Sequence, residues 1–229
     1  MKRLEVGFRG AVICFSASAL IAMAGVAVAA AQVPGGFDWV YTVISRLGSR
    51  RHNPDGAVWL AGALLLTTLL LWPVAGHLDR ASARLGSRPR LTVLALRLGL
   101  LGGMLLSIEA LFALDLSWLH RKGHEILALV TFLGLYGGVL GLYVHRIRHA
   151  SGALWPALLV LLPLCAVGIS QLALYFDQRE LGWVNTAWRE MGVPFWLSFA
   201  FWQWLAVAFL GLGLGLLVIL RQRVILHPR

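Results

Sequence analysis

The sequence predicts an all-α fold: an integral membrane bundle of six transmembrane helices with both termini cytoplasmic. Three observations lead there. Hydrophobic residues make up 59% of the chain and charged residues 13%, whereas soluble domains are about a quarter charged. Apolar runs of about 20 residues recur, the length a helix needs to cross the hydrocarbon core. Lys and Arg gather in alternate loops, which is the positive-inside pattern. No segment between the runs is long enough for a separate soluble domain, so residues 1–229 read as one membrane domain.

The first span covers Gly10–Ala31, after a basic start at Lys2, Arg3 and Arg9. Its end, Ala-Val-Ala-Ala-Ala-Gln, resembles a signal-peptidase site. The run is nevertheless longer than a usual signal core, which favours an uncleaved first helix. Gln32–Gly56 is a loop bounded by the turn sequences Pro34-Gly35-Gly36 and Asn53-Pro54-Asp55-Gly56. Its aromatic middle, Phe37–Gly48, suits a short interfacial helix.

The second span is Ala57–His77, followed by a basic loop with Arg80, Arg84, Arg88 and Arg90. The third is Leu91–Leu114, and Asp115–Gly123 is a tight turn. His124–Val144 forms the fourth span and His145–Ser151 a basic turn. The fifth, Gly152–Phe176, carries Pro163 as an expected kink. Asp177–Pro194 is a polar loop, Phe195–Leu220 the sixth span, and Arg221–Arg229 a basic tail. The orientation rule puts the Asp115–Gly123 turn outside, with Trp39, Trp59, Trp118, Trp183, Trp188 and Trp196 as an outer aromatic belt. Trp72, Tyr143 and Trp155 then mark the inner one.

Several function classes drop out. In a soluble protein a net charge of +10 would suggest nucleic acid, but here the basic residues flank apolar runs and lack the interleaved aromatics of a stacking surface. Cys14 and Cys165 both fall within apolar runs and read as small core residues, giving neither a disulfide framework nor a metal set. No cofactor is expected.

Helix contacts in lipid are marked by small residues that permit close approach. Gly99, Gly102 and Gly103 in the third span, Gly134, Gly137, Gly138 and Gly141 in the fourth, and Gly211 and Gly215 in the sixth predict that these three helices pack closely. Glu109 lies seven residues beyond Gly102, nearly two helical turns, so it shares the glycine face and points into the bundle. His124, Thr131 and Gly138 are spaced by sevens as well, and the two inward faces meet near the outer end. Arg97 lies around the helix from Glu109 and is expected to snorkel to headgroups.

Glu109 inside an apolar run must be paired, protonated or functional; Ser170 and Gln171 are candidate structural partners. Asp115 and His124 are expected to form a hydrogen-bonded pair. His120 and His124 have the i, i+4 spacing of helical metal ligands, but Arg121, Lys122 and Gly123 between them oppose a metal, and none is expected. Ser45 and Arg46 in the first outer loop can bind an anion, or supply a nucleophile if His124 or His120 reaches Ser45 as base.

The order Ile44-Ser45-Arg46-Leu47-Gly48, Asn53-Pro54, Leu111-Phe112 with Asp115, then His124 resembles the domain-of-unknown-function 998 family of small multi-pass membrane proteins. Ala113 stands where that family often has Pro. The resemblance covers Tyr41–Gly141, implies a six-helix architecture, singles out Ser45, Asp115 and His124, and implies no reaction.

The resulting reading is a non-enzymatic protein of the cytoplasmic membrane. Its outer polar cluster of Ser45, Arg46, Glu109, Asp115 and His124 binds a lipid headgroup or other polar ligand. Membrane lipids are the expected partners, with a small molecule or another membrane protein beside them and oligomeric state left open. Two alternatives stand: a membrane-embedded hydrolase of a lipid or lipid-linked substrate, and a small proton-coupled transporter using Glu109.

Overall fold

The computed structural model describes residues 7–84, 89–112, 123–149, 154–181, 190, 192 and 194–225. The described residues form α1 (Phe8–Ala31), α2 (Ile44–Leu47), α3 (Ala57–Ala83), α4 (Arg90–Phe112), α5 (Gly123–His149), α6 (Leu154–Leu181) and α7 (Phe199–Ile225), with a 3-10 turn at Phe195–Leu197 and no strand. Five of these, α1, α3, α4, α5 and α7, are long and apolar enough to cross a membrane. α6 spans 28 residues and contains the apolar stretch Val160–Ser170.

The helices run past the ends predicted for several spans. α3 continues beyond His77 to Ala83, and α5 continues through the expected basic turn to His149. A helix does not stop where hydrocarbon stops; it stops at a breaker or a cap, and neither stretch contains one. Pro73 and Pro163 lie inside α3 and α6 without dividing either helix.

Long helices adjacent in the chain are neighbours in space. α1 packs on α3, α3 on α4, α4 on α5, α5 on α6 and α6 on α7. α7 then returns to α1 and also reaches α5 and α3, which closes the ring. Leu96, Leu100, Tyr136, Val139, Tyr143, Leu164 and Val218 are buried in the shared core. Tyr143, expected in the inner belt, is fully buried, and its hydroxyl donates to the Gly213 carbonyl at 2.8 Å, joining α5 to α7. Cys165, expected in the core, is exposed. Ser107 and Thr131 bond back to their own helix backbone, at Gly103 and Leu127, whereas the Thr67 hydroxyl of α3 donates across to the Ser18 carbonyl of α1 at 3.2 Å.

Helices in lipid gain little from apolar burial against one another, so backbone approach decides which pairs bind. In the α4–α5 pair the two backbones meet directly. A Cβ on Gly99 would lie 2.5 Å from the Leu135 nitrogen, and one on Gly134 would lie 2.5 Å from the Gly99 nitrogen. Gly138 faces Leu96 and Gly141 faces Thr92 just as tightly. The expected glycine contact with the last helix differs. Gly211 faces open space and Gly215 receives the Phe15 ring of α1, so α7 is held by side chains set into glycine gaps.

The predicted interfacial helix at Phe37–Gly48 contracts to the single turn of α2. The Asp38 carboxylate accepts the Val40 N–H at 3.0 Å, a side-chain turn that competes with helix. The rest of the loop is bound to α7: Gln203 Oε1 accepts the Ile44 N–H at 2.9 Å, Trp204 Nε1 donates to the Thr42 carbonyl at 2.8 Å, and Ser198 Oγ donates to the Val40 carbonyl. Phe37 meets Trp204 edge-on and Trp39 lies against Phe201. Of the outer belt, Trp39, Trp59 and Trp196 are exposed; Trp118, Trp183 and Trp188 lie outside the described residues.

Asn53 joins three elements. Fully buried, its Nδ2 donates to the carbonyls of Ala29 and Leu47, at 2.9 and 3.0 Å, and its Oδ1 accepts the Gly56 N–H at 3.2 Å. The ends of α1 and α2 and the start of α3 are thereby tied by one side chain. Gly56 is required beside it, because a Cβ there would fall 2.3 Å from Asn53 Nδ2 and 2.7 Å from the Ala29 carbonyl oxygen.

Two expectations are measurable by thermal unfolding in detergent. Gly134→Ala places a methyl group against α4 backbone and is expected to cost about 1–3 kcal/mol, as overpacking does. Gly137→Ala, which meets nothing within 4 Å, should leave the transition unchanged or raise it slightly. Asn53→Ala takes the side-chain partner from the Leu47 carbonyl and the Gly56 N–H, while the Ala29 carbonyl keeps the Gln32 N–H, and is expected to cost about 1–3 kcal/mol for each buried group left unpaired.

Candidate functional site

The site lies where α4 ends and α5 begins. Antiparallel register sets it. Moving along α4 from Thr92 to Gly99, the partner on α5 moves back from Gly141 to Gly134. From Gly102 it moves back from Thr131, and seven residues further on each helix bring Glu109 level with His124. A heptad step on both strands keeps the same faces together, as in antiparallel bundle packing. The glycines therefore deliver the carboxylate to the imidazole.

Glu109 Oε2 and His124 Nδ1 are 2.7 Å apart. The Glu109 side chain is 16% exposed and that of His124 51%, so the carboxylate sits inside the bundle end and the ring forms its outer cover. An ionised carboxylate only accepts, so Nδ1 carries the hydrogen and donates it. Nε2 then remains as an acceptor on the neutral ring or a second donor on the charged one. The pair thus has two settings toward a ligand, proton acceptor or cationic donor. Glu125 beside it lies in the first turn of α5, where a carboxylate suits the positive end of the helix dipole.

A third residue reaches the site from another element. Arg50 Nη2 donates to the Leu111 carbonyl, in the last turn of α4 two residues beyond Glu109. Carbonyls in that turn have no partner within their own helix, and a cation there suits the negative dipole end. Arg50 was absent from the predicted cluster. Its signal was available: Arg50 and Arg51 fall in a loop assigned to the side otherwise poor in basic residues.

The predicted cluster divides. Glu109 and His124 come together. Ser45 is exposed on α2, which packs on α1 and α7, and it makes no hydrogen bond to His124. Arg46, on the same turn, is half-buried and its Nε has no hydrogen-bond partner. Asp115 lies outside the described residues, as does His120. The partner described at His124 Nδ1 is Glu109, which the register places directly opposite, and the expected Asp115–His124 pair lies outside the described residues. Ser170 is not the partner of Glu109. The second histidine pair, His145 and His149, stacks with ring centroids 4.3 Å apart, and His145 is buried instead of facing headgroups. Among the described residues, no three His, Cys, Asp or Glu side chains gather as metal ligands.

The Glu109–His124 contact can be isolated by a double-mutant cycle. Glu109→Ala and His124→Ala are expected to be non-additive in thermal unfolding, with a coupling of about 0.5–1.5 kcal/mol, the lower end reflecting the half-exposed ring. Additive losses would show that the contact contributes nothing.

No protein-family model matches the chain, and neither a curated protein nor a solved structure matches it.

Proposed function

We propose that the chain is a six-span protein of the cytoplasmic membrane, with both termini inside, that binds a lipid headgroup or similar polar ligand at its outer face. The observation that carries this reading is the Glu109–His124 pair at 2.7 Å, placed at the mouth of α4 and α5 with the Arg50 contact beside it. A carboxylate, an imidazole and a guanidinium complement a group bearing both signs of charge better than a simple anion. A zwitterionic headgroup such as phosphoethanolamine has that character, its ammonium suited to carboxylate and its phosphate to arginine. Arg46, with an unpartnered Nε, and Ser45 are the further groups of the cluster, together with Asp115. The resemblance to the domain-of-unknown-function 998 family agrees with this architecture and adds no reaction.

A membrane hydrolase is the second reading, and one observation favours it. A carboxylate on Nδ1 is how a catalytic histidine is oriented so that Nε2 can act as base. The nucleophile the sequence nominates, Ser45, is exposed and belongs to the α1–α7 side. Reactivity of Ser45 toward a fluorophosphonate, lost in His124→Ala, would establish the hydrolase in place of the binding protein.

The binding reading is tested with glycerophosphoethanolamine added to the purified protein labelled at histidine carbon. The His124 ring resonance is expected to shift on titration, and Glu109→Gln to weaken the apparent affinity about tenfold, the loss expected for one charge-assisted contact. No shift with phosphoethanolamine, phosphocholine or phosphoglycerol would overturn the reading. A reporter fused after Arg229 that reads outside would overturn the orientation.

A further inference from the structure

At the opposite end of α4 from Glu109, a cleft of about 300 Å³ is lined by Asp79, Arg90, Val93, Leu94 and Arg97. It lies between α3, which supplies Asp79, and α4, which supplies the rest. Arg90 and Arg97 are seven residues apart, so both project from one face of α4, about 10 Å apart along its axis. Arg97 sits two turns inside an apolar helix, where an uncompensated cation is unfavourable. Its compensation is incomplete. Asp79 Oδ2 approaches Arg97 Nη2 only to 3.9 Å, too far for a hydrogen bond, and the buried Nε of Arg97 has no partner.

We infer that this cleft binds the phosphodiester of an anionic phospholipid. Charge, donor geometry and access agree on that ligand. Two arginines and one carboxylate leave one net positive charge among the cleft residues, which a phosphodiester neutralises and a dianionic phosphate would overshoot. The guanidinium is a planar fork suited to paired phosphate oxygens, and the Arg97 side chain, 42% exposed, lines the cleft. The start of α4 at Arg90 adds the positive end of a helix dipole. Access is lateral: Leu91, Leu94 and Leu98 are 82%, 51% and 45% exposed, so the apolar rim faces the space that acyl chains fill. Asp79, not hydrogen-bonded to Arg97, is left to accept from a headgroup hydroxyl, which a glycerol headgroup has. The site is independent of Glu109 and His124 and shares no residue with them.

The test uses the full chain in nanodiscs of phosphatidylcholine, into which phosphatidylglycerol is titrated while bound lipid is counted by native mass spectrometry. Phosphatidylglycerol is expected to be retained selectively. Arg97→Gln is expected to weaken that retention at least about tenfold. Arg90→Gln, at the exposed helix start, should also weaken it, and serves if the deeper variant fails to fold. Arg97→Lys keeps the charge but loses the fork, and should fall between. Inorganic phosphate displacing the lipid at millimolar concentration would identify a soluble anion as the occupant and overturn the lipid assignment. Equal retention of both lipids, or retention unchanged by Arg97→Gln and Arg90→Gln, would overturn the site.

Discussion

The α4–α5 backbone contact is the constraint on which the rest of the site depends. Gly99 and Gly134 bring two main chains together so closely that a methyl group on either would enter the other. In lipid this closeness matters more than apolar character, since the surrounding solvent is equally apolar and only packing discriminates. Once Gly99 lies on Gly134, the antiparallel register is fixed everywhere on the pair. Thr131 faces Gly102, and Glu109 faces His124. The polar pair in turn opposes a slip by one turn, which would leave a carboxylate facing apolar residues. Fixing register is the best-attested structural role of a polar contact set between packed helices.

The second organising element is the knot around Asn53. It collects carbonyls at the ends of two helices and an amide at the start of a third, and it needs Gly56 to let the chains close on it. The loop joined to this knot is held to α7 through Gln203, Trp204 and Ser198, which anchors it on one side of the bundle. Arg50 joins it to the end of α4. The anchoring explains why Ser45 stays with α1 and α7. A short turn tied at both ends has little freedom to carry a side chain across the bundle.

Much of the site was legible in the sequence because helical periodicity is rigid. The sevenfold spacing of Gly102 to Glu109, and of His124 to Thr131 and Gly138, assigns faces without knowledge of the fold, and the loop between α4 and α5 makes the two helices antiparallel. The spacing identified Glu109 and His124 but not their pairing, because which glycine meets which is a property of two surfaces together. Tyr143 was misplaced for a related reason. An aromatic near a span end reads as an interface anchor, and only the neighbouring Gly213 carbonyl reveals it as core. Cys165 points outward because membrane helices are apolar on every side, so hydrophobicity does not report burial there. Arg50 was overlooked because a cation in a loop already has water as a sufficient explanation. The loop helix was overestimated because Asp38 closes a local turn that competes with it.

Geometry also explains why α4 carries polar contacts at both ends. Arg97 and Glu109 are twelve residues apart, with no ionisable side chain between them. Along a helix that is about 18 Å, well short of the roughly 30 Å hydrocarbon thickness. Both groups cannot therefore sit at the two interfaces, and at least one must be held within hydrocarbon depth. A charge at that depth has to reach headgroup level or meet a partner. Glu109 has a short side chain, and its partner is fixed on α5. Arg97 has a long one, and its nearest carboxylate, on α3, stops short of bonding distance. The same spacing thus completes the compensation at one end of α4 and leaves it unfinished at the other, where an acceptor from the bilayer itself fits.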